Sequence, residues 1–138
     1  MSKIVNISEA ASLALHSLAL IAKSEKMINV IEISKNMNFS KNHLSKILQV
    51  LVRNDYLKSI RGPKGGFELK KKAQEITLLE IYEIFEGKIA CHTCAMKNNE
   101  KCTFNNCIFG YLPGQFSKEF EDYLRNTSIA DLIVVSKY

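Results

Sequence analysis

The sequence predicts a mainly α-helical chain carrying one small β-hairpin, and three observations support that prediction. Apolar residues recur at intervals of three and four in several segments of the chain. A glycine-rich basic stretch separates two short β-type runs at residues 56–69. A late segment, FSKEFEDYLRN, sets Phe116, Phe120, Tyr123 and Leu124 at i, i+4, i+7 and i+8.

Ser8 is placed to cap a first helix with the apolar face Ala11, Ala14, Leu15, Leu18, Ile21 and Ala22, which frays near residues 23–26. A short second helix is expected from about Val30 to Met37, with Ile33 and Met37 inward. After the connection NMNFS, a third helix capped by Ser40 runs from about Lys41 to Asn54. Leu44, Ile47, Leu48 and Leu51 form its buried stripe, and Lys41, Asn42, Ser45, Lys46 and Gln49 its outer face. A short helix, a tight connection and a helix with a hydrogen-bonding outer face describe a helix-turn-helix, in which the second helix reads DNA. Lys neutralises phosphate, Asn and Gln can bond adenine bidentately, and Ser bonds base edges. The same pattern also suits a helical hairpin with a solvated face.

The next segment favours DNA. In YLKSIRGPKGGFELKK a strand, a basic glycine-rich turn and a second strand follow directly, with Tyr56, Lys58 and Ile60 on one side and Phe67 and Leu69 inward. Gly62, Gly65 and Gly66 permit positive φ and close backbone approach. A hairpin with Arg61 and Lys64 at its tip, placed after a reading helix, is a wing, and the whole is a winged helix-turn-helix. The charge agrees. Residues 40–72 hold nine Lys/Arg against the two acids Asp55 and Glu68, a local +7, so the rest of the chain carries −2 of the net +5. A basic module on a mildly acidic remainder suits a polyanion.

Beyond the wing, Thr77 and Glu80 have capping-box spacing and open a helix through about Glu86, with Leu78, Ile81, Tyr82 and Phe85 on one side and Gly87 as its stop. The aromatic late helix is a candidate for pairing with a twin subunit, because palindromic sites favour two-fold dimers. Pro113 would interrupt the interior of a long helix, so that helix should kink there or begin later. No apolar run approaches a membrane span, and the apolar N-terminal stretch reads as a folded helix, so a cytoplasmic protein is expected.

All four cysteines, Cys91, Cys94, Cys102 and Cys107, sit in ACHTCAMKNNEKCTFNNCIFG, residues 90–110. In a reducing compartment, clustered thiols point to metal or redox chemistry and not to structural disulfides. Four thiolates can hold an iron–sulfur cluster or, with or without His92, a zinc ion. Lys97 and Lys101 would lower thiol pKa values, which also suits a metal-free thiol redox switch. No βαβ pattern surrounds CHTC, and Ala95 stands where haem attachment needs His. His16 lies on the polar flank of the first helix, better placed for solvent or a subunit contact than for a metal. No Ser/His/Asp or paired-carboxylate setting suggests an enzyme. A redox- or metal-dependent protein-interaction module is the alternative from another class.

The segments ISEAASLALHSLALIA, FSKNHLSKILQVLVRNDYLKSIRGPKGGFELKK, ITLLEIYEIFEG, the cysteine loop and TSIADL together resemble the Rrf2 family of bacterial transcription regulators, over residues 3 to about 133. That family includes iron–sulfur cluster regulators, nitric-oxide-sensing repressors and cysteine-metabolism regulators. The resemblance implies a winged-helix homodimer on a palindromic double-stranded promoter site. It implies DNA contacts from Ser40, Lys41, Asn42, His43, Ser45 and Lys46 on the reading helix and from Arg61, Gly62, Lys64 and Gly65 on the wing. It also implies a [2Fe–2S] or [4Fe–4S] cluster on Cys94, Cys102 and Cys107, with Cys91 an extra thiol. Ser12 stands where some members carry an acidic ligand, and Glu9 lies one turn away, so Cys91 is a candidate for the fourth position. Residues 1–87 would form the DNA-binding domain, 88–108 the sensor loop, and 109–138 the dimerisation helix and tail.

Overall fold

The computed structural model describes residues 5–89 and 106–134. Among these residues, six α-helices and one two-stranded hairpin run in the order α1 (Glu9–Lys23), α2 (Val30–Met37), α3 (Lys41–Arg53), β1 (Leu57–Ile60), β2 (Gly66–Leu69), α4 (Leu78–Glu86), α5 (Leu112–Asn126) and α6 (Ile129–Ile133). A single 3-10 turn (Ala73–Glu75) leads into α4.

The helices begin where side chains can satisfy their first amides. Ser8 accepts from the Ala11 amide at the start of α1. Asn29 with Glu32, Thr77 with Glu80, and Ser128 with Asp131 form full capping boxes for α2, α4 and α6. Asn38 stops α2 in the left-handed region (φ 51°), a conformation that asparagine tolerates and that turns the chain into α3. Gly87 (φ 79°) ends α4 as expected.

One core unites these elements. Leu18 of α1, Ile33 of α2, Leu44, Leu48 and Leu51 of α3, Leu57 of β1, Ile81 of α4 and Ile129 of α6 are all fully buried or nearly so. Burial of such side chains contributes about 1.5–3 kcal/mol each. The inward face of α1 is Ala11, Leu13, Ala14, Ser17, Leu18 and Ile21, so Leu13 and Ser17 replace Leu15 and Ala22, which are half-buried. The buried Ser17 hydroxyl donates to the Met37 sulfur at 3.6 Å, which joins α1 to α2.

β1 and β2 pair antiparallel with Leu57 opposite Leu69 and Ser59 opposite Phe67. Directly opposed residues share a face, so Leu57 and Phe67 point into the core while Lys58 and Ile60 point out. Phe67 also exchanges both backbone hydrogen bonds with Ile28, in the connection between α1 and α2. A Cβ on Gly66 would sit 2.7 Å from the Ile28 carbonyl oxygen, so this close approach requires glycine.

α5 neither begins after Pro113 nor holds it in its interior: the helix starts at Leu112, with Pro113 in its first turn, where a missing amide costs nothing. Its aromatic stripe divides. Leu124 and Ser117 are buried, and Phe120 packs edge-on to Tyr82 of α4 with ring centroids 5.5 Å apart. Phe116 and Tyr123 face outward. After α5 the chain returns to the core. The Leu78 amide donates to the Thr127 carbonyl, the Ile129 amide donates to the Ile76 carbonyl, and α6 then packs on α1.

Candidate nucleic-acid interface

α3 lies on the core through Leu44, Ile47, Leu48 and Leu51, which fixes the opposite face toward solvent. Ser40, Lys41, Asn42, His43, Lys46 and Gln49 are all exposed there. Ser40 occupies the N-cap position, but its hydroxyl makes no capping bond. Ser45 is half-buried and its hydroxyl donates to the Lys41 carbonyl at 2.8 Å. Its proton is therefore committed, and its oxygen is left to act as an acceptor only. The His43 ring rests against Phe39, centroids 5.4 Å apart, so the turn before α3 supports a side chain on its exposed face.

The wing tip is held by its glycines. The Gly65 amide donates to the Gly62 carbonyl at 2.9 Å, and Gly62 adopts φ +118°. A Cβ on Gly65 would lie 2.1 Å from the Ile60 carbonyl oxygen. The turn can close only with glycine there, and it leaves Arg61, Gly62 and Lys64 exposed. The wing and α3 are joined through the packing of β1 on the end of α3.

The nine basic residues of the module are not equivalent. Lys58 pairs with Glu68 across the hairpin at 3.6 Å, and Lys70 pairs with Asp55 at 2.8 Å. The Lys70 hydrogen bond and charge hold the Asp55 carboxyl below its ordinary pKa. The Lys71 ammonium sits 4.4 Å over the Tyr56 ring. Lys41, Lys46, Arg61 and Lys64 are exposed and have no ion pair among the described residues. Composition offers nine candidate phosphate partners; among the described residues the fold leaves those four, with Arg53, Lys71 and Lys72, outside any ion pair, and of these Lys71 is held over the Tyr56 ring.

Among the sulfurs, Cys91, Cys94 and Cys102 lie outside the described residues. Cys107 is half-buried, in a turn whose Gly110 amide donates to the Cys107 carbonyl at 2.9 Å, directly before α5. The positive φ of Gly110 (61°) and Tyr111 (59°) reverses the chain into the helix. His16 is exposed, and its Nδ1 is 2.6 Å from the Ser12 carbonyl oxygen. At the other end of the loop, Glu86 accepts from the Asn6 side chain and from the Ser8 amide, tying the start of α1 to the end of α4.

Two residues that sequence patterns pass over complete the module. Tyr56 is buried and donates its hydroxyl to Glu80 at 2.9 Å. Burial first, and then the Glu80 hydrogen bond, push the Tyr56 phenol up to about 12. Burial also pushes Glu80 upward, but the bonds from the Thr77 amide and hydroxyl and from Tyr56 outweigh it and leave the carboxyl below its usual value. Tyr56 reads in sequence as an ordinary strand residue, and Glu80 as a helix cap only.

A helix-turn-helix followed by a basic hairpin wing on one core defines a winged-helix DNA-binding protein. A family model described as Rrf2, iron-dependent transcriptional regulator, matches residues 7–134, and the chain belongs to that family. It is 26% identical over 132 residues to the HTH-type transcriptional regulator NsrR of Geobacillus kaustophilus, covering 95% of this chain and 89% of that one. It is 36% identical over 87 residues to the HTH-type transcriptional regulator IscR of Cereibacter sphaeroides, 62% of this chain and 56% of that one. In fold it is similar to CymR (YrzC), the global cysteine regulator of B. subtilis, with a TM-score of 0.79 at 23% identity over 96% of this chain and 99% of that one. The protein is a DNA-binding transcriptional regulator and not an enzyme. No helix among the described residues is long and apolar enough to cross a membrane.

Proposed function

We infer that the protein is a cytoplasmic homodimer that binds a palindromic promoter duplex and changes its DNA affinity with the state of its cysteine loop. The exposed polar face of α3 supports this reading most directly: Lys41, Asn42, His43 and Lys46 are presented together on a helix fixed by one apolar stripe. Ser40 and Ser45 add acceptors to that face, and Arg61 and Lys64 of the wing, with Gly62 at positive φ and the tightly packed Gly65, add backbone contacts.

The second copy would lie against α5. Leu112, Phe116 and Tyr123 fall on one side of that helix, and Ile108, Phe109 and Tyr111 extend the same apolar exposure toward the loop. An apolar strip of this size on an otherwise charged surface suits a protein interface.

The donor set of the loop fits an iron–sulfur cluster, [4Fe–4S] or [2Fe–2S], held by Cys94, Cys102 and Cys107 with Cys91 as the fourth thiolate. Such a group, when bound, supplies a centre sensitive to redox state, nitric oxide or iron–sulfur supply. The chain contributes the connection. Cys107 is bonded into the turn that starts α5, and α5 touches α4 through Phe120 and Tyr82, so a displacement of Cys107 is passed to both the outward apolar strip and the module core. A difference in DNA affinity requires the two loop states to favour different arrangements of the two recognition helices.

Anaerobic purification followed by an absorption spectrum with iron and sulfide counts tests the loop, repeated on Cys91→Ala. Iron and sulfide with visible charge-transfer bands are expected, and their loss in the variant assigns Cys91 as a ligand. One zinc per chain without such bands overturns the sensor and leaves a braced loop.

A further inference from the structure

Tyr56 ties four segments at one point. Its amide donates to the Leu51 carbonyl of α3 at 3.0 Å, and its carbonyl accepts from the Lys70 amide, just past β2, at 3.0 Å. Its hydroxyl donates to Glu80 of α4 at 2.9 Å, and the Lys71 ammonium covers its ring. The residue before it, Asp55, takes φ 65° to turn the chain out of α3, and is itself clamped by Lys70. The end of the recognition helix and both ends of the wing therefore converge on the backbone of one residue, whose buried side chain reaches Glu80 and Lys71. Glu80 is equally fixed. One oxygen accepts from Tyr56, and the other accepts from the Thr77 amide at 2.8 Å and the Thr77 hydroxyl at 2.9 Å. Thr77 in turn lies in the short antiparallel bridge to Ser128, where the chain returns from α5.

This geometry matters because α3 and the wing must meet one duplex at the same time. Their mutual angle is set where the chain passes from α3 into β1, a four-residue strand beginning one residue after Tyr56. We propose that Tyr56 is a positioning residue for DNA recognition: its hydroxyl bond to Glu80 fixes the α3–wing junction against α4 and so sets the angle between recognition helix and wing. The proposal rests on the DNA-binding reading. The phenol is protonated through the neutral range, and burial and the Glu80 bond raise it further, to about 12, so the hydroxyl is available to donate there. Tyr56 is buried and does not itself touch DNA. Its contribution is to sequence discrimination, which requires both elements in register, while electrostatic attraction of a loosened wing survives.

The test compares specific with non-specific binding. A duplex is selected by the wild-type protein from a randomised pool of about 30 bp, long enough for two half-sites, and affinities for it and for a scrambled duplex are measured at several salt concentrations. Tyr56→Phe keeps the ring and its lysine contact. It is expected to lower the ratio of specific to scrambled affinity by about fivefold or more, a typical size for a coupling between sites, and to leave the scrambled affinity and its salt slope unchanged. A merely structural tyrosine would shift the melting temperature and leave the ratio alone. Glu80→Ala, which also removes the Thr77 bonds, should lower the ratio as well, and adding Tyr56→Phe to it should lower the ratio no further, since the Tyr56–Glu80 bond is then already lost. Hydrogen exchange at the β1 and β2 amides should speed up in Tyr56→Phe. A ratio within about twofold of wild type in Tyr56→Phe, or additive losses in the double variant, overturns the proposal. If the wild-type protein enriches no duplex, the DNA-binding reading itself falls, and that outcome is separate from the first.

Discussion

α3 and α5 are both amphipathic helices packed on the same core by one face, and they differ in what the other face offers. α3 presents Lys41, Asn42, His43 and Lys46 to solvent; α5 presents Leu112, Phe116 and Tyr123. A helix that exposes donors and positive charge is built for a hydrated polyanion, where binding displaces water and counterions. A helix that exposes aromatic rings is built for a dry surface, where association removes apolar area from water. On the function proposed above, the two faces divide the work of a regulator, one for DNA and one for a second copy of the chain.

The largest expected effect comes from breaking the apolar face. Phe116→Asp with Tyr123→Asp should leave the winged-helix core folded and give a monomer in sedimentation. Specific DNA affinity should fall about 100-fold or more, because the second half-site is no longer delivered on a tethered partner. Next comes the polar face. Lys41→Ala with Lys46→Ala should leave the dimer intact, weaken all DNA binding, and reduce the salt slope by about one for each phosphate partner removed. If the aspartate pair weakens DNA binding without changing mass, the division of labour between α3 and α5 is wrong.

Smaller effects sharpen the contrast between committed and uncommitted charges. Gly65→Ala forces a Cβ against the Ile60 carbonyl. It should destabilise the protein by about 1–3 kcal/mol in urea unfolding, as overpacking does, and loosen the wing. Lys58→Ala removes only the exposed pair with Glu68. It should change stability by less than about 1 kcal/mol and leave the DNA salt slope near wild type, unlike Lys46→Ala. The smallest effect is a pH dependence. The Tyr56 phenol is raised from 10.0 to about 12 in the folded state, so its contribution to stability is complete below the ordinary phenol value and is lost as pH rises through about 12. Urea titrations at increasing alkaline pH should show this fall in the wild type and a flatter profile in Tyr56→Phe.

Much of this architecture is legible in sequence because it follows from local rules. Ser8, Thr77 with Glu80, and Gly87 mark helix ends through chemistry within a few residues, and the structure puts the ends there. α6 escapes a reading by periodicity, since five residues give no period, although Ser128 and Asp131 carry the same capping-box spacing as Thr77 and Glu80. The wing is readable as a hairpin, but its inward residue on β1 is Leu57, since register is set by pairing with residues 66–69 and one step of register exchanges the faces. The aromatic stripe of α5 is one pattern in sequence and two in space: Phe120 and Leu124 turn inward to the core, Phe116 and Tyr123 outward. Tertiary contacts make that division, as they do for the lysines. No local rule tells Lys58 and Lys70, held by Glu68 and Asp55, from Lys46 and Lys64. The Tyr56–Glu80 bond spans 24 residues and leaves no mark in spacing.

The central claim, that α3 and the wing of a dimer grip DNA through uncommitted basic residues, is tested most directly by a salt titration. Binding of the anaerobically purified full chain to a duplex it has selected is followed by fluorescence anisotropy across a range of salt concentrations. On the proposed reading, Lys41, Lys46, Arg61 and Lys64 each meet a phosphate in both protomers of a dimer, and log affinity should then fall against log salt with a slope of roughly −7. A slope near zero, or the same affinity for selected and scrambled duplexes, would contradict the account.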